Sequence, residues 1–123
     1  MSDLKPQSRK IMLGKNQHGM RFTVNTIDDI QEKFDISIQS IQDLFTDERH
    51  QMRNLRYLLM LLINEDIDCD NDETGEKRQH VDERYVGRYI TLSNIKSIME
   101  AVYATCKEST PEGEDEDPNV KTA

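Results

Sequence analysis

The sequence predicts a mainly α-helical domain of the α+β class, in which an N-terminal β-hairpin precedes a small bundle of four to five helices and a disordered acidic C-terminal tail. Within residues 10–34 the hydrophobic period changes from two, typical of strands, to three and four, typical of helices. The helical period recurs up to residue 107, after which Pro, Gly and acids replace apolar residues. We therefore expect a single domain over residues 8–107, with disordered ends at 1–7 and 108–123.

The hairpin is predicted from two short alternating stretches. Apolar residues alternate with polar ones at Ile11 and Leu13, and again at Met20, Phe22 and Val24. The polar residues 16–19 separate them, and Gly19 can adopt the positive φ that a tight turn requires. These features predict two strands joined by a turn at residues 16–19.

Caps and apolar spacing predict the first two helices. Asn25 is placed to cap the first helix. Its apolar face is formed by Ile27, Ile30 and Phe34. After a break, Ser37 can cap a short second helix that ends at Phe45.

A third helix, starting near Thr46 and apolar over about Met52–Ile63, is the most hydrophobic part of the chain. Its main stripe is formed by Met52, Leu55, Leu58, Leu59, Leu62 and Ile63. Tyr57, Met60 and Leu61 add apolar groups on the other faces. A helix that is apolar all round needs cover on every side, so it serves either the core alone or the core together with a protein interface. Tyr57, Met60 and Leu61 are the candidate partner-binding residues.

A long polar loop is expected over residues 64–82, with its acids between Glu65 and Glu76. A helical pattern returns at Tyr85 and continues to Ile90. Thr91 or Ser93 caps a last helix, over residues 94–106, whose apolar stripe ends at Cys106.

The alternating acids of this loop invite comparison with a calcium-binding loop. Started at Asp70, an EF-hand loop places Val81 where the bidentate Glu is needed. Started at Asp66, it places Asn71 at the glycine position. A solvated acidic loop is the simpler interpretation, with a weak divalent-cation site as the alternative.

No other pattern points to a cofactor or a reaction. The soft metal ligands are His18, His50, His80, Cys69 and Cys106. No two of them have zinc-site spacing, and there is no glycine-rich phosphate loop or nucleophile with a neighbouring base. We therefore predict no catalytic, metal-binding or cofactor-binding residue, and a protein that is not an enzyme.

Charge and hydropathy narrow the class of partner. A net charge of −8 disfavours binding to nucleic-acid phosphates or to an anionic membrane surface. The longest apolar run, residues 57–63, is too short to span a bilayer, and the N-terminus lacks the apolar core of a signal peptide. The two cysteines lack C-x-x-C spacing, which is typical of reduced thiols. We expect a cytoplasmic protein.

The order of elements resembles the phage tail assembly chaperones of long, non-contractile-tailed phages, prophages and gene transfer agents. The resemblance covers residues 8–107. It rests on an RFTVN-type second strand at 21–25, a helix of the IDDIQEKF type at 27–34 and a YVGRYIT-like stretch at 85–91 before the last helix. The matching positions are hydrophobic, so the family contributes no catalytic residues.

The resemblance implies a role in tail morphogenesis inside the bacterial host cell. Such a protein binds the tape measure protein, keeps it soluble and helps to recruit tail tube subunits. Formation of a homo-oligomer is left open.

A second hypothesis is an acidic inhibitor or adaptor that mimics DNA and occupies a basic groove. More than half of the 24 acids fall in residues 65–76 and 108–117, which we expect to be flexible, so they are poorly placed to imitate regularly spaced phosphates. One basic cluster runs against the overall charge, with Arg49, Arg53 and Arg56 on the third helix and Lys33 upstream. It is interpreted as a solvated face, or alternatively as a patch for an acidic segment.

Overall fold

The computed structural model describes residues 7–108 and confirms the predicted fold class, an antiparallel hairpin followed by helices. The elements are β1 (Arg9–Leu13), β2 (Asn16–Met20), α1 (Val24–Phe34), a 3-10 turn (Ile38–Ser40), α2 (Asp43–Thr46), α3 (Gln51–Thr74), α4 (Glu83–Arg88) and α5 (Ile95–Glu108). Apart from Gln7 and Glu108, the ends predicted to be disordered lie outside the described residues.

The hairpin turns earlier than predicted. Leu13 pairs with Asn16, so the turn is Gly14-Lys15, and residues 16–19 belong to β2. Gly14 has a φ of +64°, and an added Cβ would lie 2.7 Å from the ring of Tyr89. Only glycine meets both conditions, because it tolerates positive φ and has no side chain.

The first helix begins where the second strand was expected to end. Val24 is exposed and opens α1, so the predicted strand is shorter than the alternation suggested. Thr23, and not Asn25, caps the helix: its Oγ1 accepts from the Thr26 amide, and Thr26 Oγ1 accepts from the Thr23 amide at 2.8 Å. The helix ends at Phe34, where Asp35 adopts a left-handed φ of +55°.

The short second helix is divided in two. Ser37 caps the 3-10 turn by accepting from the Gln39 amide, as its position predicts, and α2 follows separately. The Asn54 side chain donates to the carbonyl of Leu44 at 3.0 Å inside the core. This buried hydrogen bond joins α2 to α3.

The third helix differs most from the prediction. It starts at Gln51, not near Thr46, and continues through the expected acidic loop to Gly75, whose φ is +81°. The non-helical connection is therefore residues 75–82. Ile67, one turn beyond Ile63, continues the buried stripe. Helix formation through these acids is favourable because charged and polar partners elsewhere in the chain engage them, as described below.

Of the two predicted caps of the last helix, Ser93 and Thr91, it is Thr91 that makes the capping hydrogen bonds. Thr91 Oγ1 accepts from the Asn94 amide at 3.3 Å, and the Asn94 side chain accepts from the Thr91 amide at 2.7 Å. Two donors that the first turn leaves without intrahelical partners are thereby satisfied. Cys106 is fully buried on the inner face, as its position in the stripe predicts.

The core surrounds α3, which packs against β2 and each of the other four α-helices. The side chains without solvent exposure on α3 are Leu55, Leu58, Leu59, Leu62 and Ile63. Met52 is the exception on the predicted stripe, because it is 56% exposed. Among residues 7–108, no helix has both the length and the apolarity needed to cross a membrane.

Candidate binding surface

The three candidate partner-binding residues of α3 are half-buried against the core. The Tyr57 ring meets Phe34 of α1 edge to face, with centroids 5.6 Å apart, and Lys33 Nζ lies 5.0 Å from its centroid. Burial raises the pKa of Tyr57, and the negative charges of Asp29 and Glu83 add to the effect. Tyr57 thus serves the contact between α1 and α3, while Met60 and Leu61 retain partial exposure.

A cleft of about 530 Å³ opens beside the N-terminal half of α3, at two of the arginines of the basic cluster noted in the sequence. Its walls come from α3, the end of α4 and the start of α5. They are Met52, Arg53, Arg56, Gly87, Ile90, Thr91, Leu92 and Ile95. Met52 and Leu92, 56% and 84% exposed, lie at its edge. Two large apolar side chains in water beside an apolar cleft favour binding of another apolar group.

Local hydrogen bonds hold one wall of this cleft. The Thr91–Asn94 capping pair fixes the start of α5, and Asn94 Nδ2 donates to the Tyr89 carbonyl at 2.9 Å. These bonds constrain residues 89–94 on both sides of Leu92. The side chain of Leu92 is therefore exposed from a turn whose backbone is held by hydrogen bonds.

A second cleft, of about 370 Å³, follows along α5. It lies between α5 and α2 and is lined by Gln42, Phe45, Thr46, Lys96, Met99, Glu100 and Tyr103. Phe45 and Tyr103 meet edge to face with centroids 5.4 Å apart. The Gln51 side chain donates to the Phe45 carbonyl at 2.8 Å and helps to hold α2 in place.

The two clefts concentrate positive charge on a negatively charged chain. Arg53, Arg56 and Lys96 line them, and Glu100 is the one acid among the lining residues. Arg56 Nε lies 3.3 Å from Glu83, whereas in the described part of the chain Arg53 and Lys96 form no ion pair. We call the surface formed by both clefts and these three cations the basic-rimmed groove.

The structure divides the basic cluster predicted from sequence. Arg53 and Arg56 line the first cleft. Arg49 precedes α3 and is exposed, and Lys33 lies over Tyr57. The sequence indicated the two central arginines but not the apolar residues of α4 and α5 that meet them.

The acids of the expected loop form a network with residues that follow the hairpin and with the connection after α3. Asp66 is 2% exposed and accepts from Arg21 Nε at 2.8 Å. Asp70 lies 3.5 Å from Arg21 and 2.9 Å from Arg78, and Glu65 accepts from Thr23 Oγ1 at 2.7 Å. Burial alone would lower the pKa of Arg21, but the hydrogen bond and charge of Asp66 raise it above its ordinary value.

The sequence predicted solvated loop carboxylates here. For several of these groups that prediction is wrong, because they lie on α3 and are engaged by other side chains. In the described residues, no group of three or more His, Cys, Asp or Glu side chains is arranged to hold a metal ion. The network serves packing between β2, α3 and residues 75–82.

The cysteines are free thiols in different environments. Cys69 was predicted to lie in a loop, but it is half-buried on α3, and burial raises its pKa. Complete burial raises the pKa of Cys106 to about 12, so this group stays a protonated thiol at neutral pH. Neither environment favours a thiolate nucleophile.

Comparison of the chain with protein-family models, curated proteins and solved structures finds no match.

Proposed function

We propose that this chain is a tail assembly chaperone that binds the tape measure protein, keeps it soluble and helps to recruit tail tube subunits in the cytoplasm of a bacterial host. The observation that supports the proposal is the pair of clefts along α5, with Met52 and Leu92 exposed beside the first. A non-enzymatic chaperone acts by covering apolar helix surface of its client, and such clefts provide complementary surface.

Charge supports the same function. The net charge of −8 would keep a complex with an aggregation-prone client in solution. Recruitment of tube subunits is assigned to the acidic residues 112–117, which lie outside the described residues.

The experiment is co-expression with the proposed client, the tape measure protein of the same phage, followed by measurement of the client's soluble fraction and of its co-purification with this chain. Met52→Ser with Leu92→Ser removes apolar groups that are largely exposed, so folding should be retained while client recovery falls about tenfold or more. Met12→Ser is the matched control, because Met12 is 53% exposed on the hairpin.

A third variant tests the residues chosen from sequence. Met60→Ser with Leu61→Ser should weaken folding more than it weakens client binding, because both side chains pack against the core. If this variant melts like the wild type and loses the client, the interface lies on that face of α3. If the wild-type chain leaves the tape measure protein insoluble, the chaperone function is wrong.

One observation favours the DNA-mimic hypothesis: some of the acids expected in a flexible loop lie on the helix α3. Asp68 and Asp72 are exposed one turn apart on α3. However, Asp68 already accepts from His80 at 2.8 Å, and Glu65, Asp66 and Asp70 are engaged within the chain. Potent inhibition of a DNA-binding enzyme, without effect on a tape measure protein, would favour the mimic.

A further inference from the structure

We propose that the basic-rimmed groove binds one amphipathic helix whose apolar stripe is flanked by acidic residues. This inference rests on the proposed function, which gives the chain a helical client, and it adds the chemistry by which that client is recognised.

The first argument is the length of the groove. On α5, the lining residues run from Ile95 in the first cleft to Tyr103 in the second, a span of about 12 Å at 1.5 Å per residue. Apolar anchors at positions i and i+7 of a partner helix lie about 10.5 Å apart. A single helix of a few turns can therefore place apolar side chains in both clefts.

The second argument is the charge at the edges. Arg53 and Arg56 stand beside the first cleft and Lys96 beside the second, with Glu100 the one opposing charge among the lining residues. Acidic residues flanking an apolar stripe would meet Arg53 and Lys96, neither of which has an ion-pair partner within residues 7–108. The chain as a whole carries a net charge of −8, so an acidic partner is attracted only where cations such as these are concentrated.

The chain's own C-terminal segment is a weaker occupant. Residues 109–123 follow α5 in the sequence and carry five acids within 112–117, so their charge is opposite to that of the cations of the groove. Their larger apolar groups are limited to Pro111, Pro118 and Val120, which do not form a helical stripe. This segment can compete for the edge but cannot fill both clefts.

The test uses two fluorescein-labelled synthetic peptides of about five helical turns, with leucines at i, i+3, i+4 and i+7. One carries Glu at the flanking positions and the other Lys. Fluorescence anisotropy with the full-length chain should give about tenfold tighter binding of the acidic peptide at low salt, and a smaller difference at high salt. Equal affinities, or no binding of the acidic peptide, would overturn the proposal.

Charge reversal locates the interaction. Arg53→Glu combined with Lys96→Glu should reverse the preference in favour of the basic peptide. Lys15→Glu combined with Lys77→Glu changes net charge equally at exposed positions outside the clefts, and should preserve the order. If both double variants reverse the preference, overall charge is responsible and the groove is not the site.

Methionine methyl NMR gives an independent readout. The acidic peptide should shift the resonances of Met52 and Met99, one in each cleft, and leave Met12 on the hairpin unchanged. Shifts confined to one cleft would contradict a single helix spanning both. If binding appears only after the acids of 112–117 are replaced by Gln and Asn, the tail is the occupant and the proposal is wrong.

The two proposals fail separately. A chain that keeps the tape measure protein soluble but does not distinguish the peptides retains the proposed function and loses this inference. A chain that prefers the acidic peptide but leaves the tape measure protein insoluble retains the groove chemistry alone.

Discussion

His18 shows how the fold changes the chemistry of a residue that the sequence presents only as a weak metal candidate. It lies opposite Ile11 in the hairpin, on the face that also carries Leu13. Its Nε2 is 2.9 Å from the Tyr85 hydroxyl, and its buried Nδ1 has no hydrogen-bond partner in the described residues. Protonation would place a second N–H where no acceptor lies. Desolvation, together with the positive charge of Arg78, lowers the pKa of His18.

The first prediction follows from the sign of that shift. Because the folded-state pKa lies below the unfolded value of about 6.5, the unfolded chain binds the proton first as pH falls. The contribution of His18 to stability should therefore be constant above about pH 7 and decrease progressively below about pH 6.5. Urea unfolding of the wild type and of His18→Gln, across this range, measures it as the difference between the two free energies of unfolding.

The subtraction removes the contribution of His50 and His80, which are present in both proteins. NMR titration of the His18 ring gives a direct check, with a midpoint below about 6.5 expected. A stability difference that does not vary with pH, together with an unshifted midpoint, would contradict the assigned environment.

At the scale of elements, sequence patterns succeeded where the determining interactions are local. The apolar stripes and the Thr91 cap positioned α1 and α5 within a few residues, because caps and stripes depend on neighbours three or four positions apart. The C-terminal half of α3 was missed because its acids are engaged from outside the helix, by Arg21, which is 45 residues from Asp66, and by Arg78 of the following connection. Ile67, one turn after Ile63, was the available signal that the helix continues.

The contact between β2 and α3 depends on close approach. The Arg21 amide donates to the Leu62 carbonyl at 3.1 Å, and Arg21 Nε donates to Asp66. A Cβ added to Gly19 would lie 2.3 Å from Asp66 Oδ2, so glycine permits this approach. The carboxylate of Asp66 is thus enclosed between β2 and α3.

The second prediction tests this enclosure. Asp66→Asn keeps the shape of the side chain but removes the charge that offsets Arg21, so it should lower the free energy of unfolding by about 3 kcal/mol. The same change at Asp72, exposed on the same helix, should alter stability by less than about 0.5 kcal/mol. Urea unfolding monitored by circular dichroism measures both, and similar values for the two variants would show that the buried pair contributes little.

For the molecule as a whole, the sequence determined the class of fold better than the location of exposed apolar surface. Tyr57 was predicted to contact a partner, and this stays a prediction, but the structure adds a contact that the sequence did not indicate, with Phe34 of α1. Met52 was assigned to the core stripe, yet it is 56% exposed beside a cleft. Which apolar residues remain uncovered depends on how α4 and α5 pack around α3. Hydrophobic periodicity within one helix does not contain that information.

The last prediction concerns cooperation around α3. Because this helix contacts β2 and the other four α-helices, a cavity in its inner face should weaken the entire domain. Leu59 is fully buried, so Leu59→Ala should lower the free energy of unfolding by about 2–5 kcal/mol, without changing the dependence on urea concentration. Met52→Ala, a comparable truncation at an exposed position of the same helix, should cost less than about 1 kcal/mol.

Coincident unfolding curves from circular dichroism and tyrosine fluorescence are expected for both variants, since one core joins the elements. A Leu59→Ala protein as stable as the wild type would place this face of α3 outside the core, and separated curves would show that the helices unfold independently.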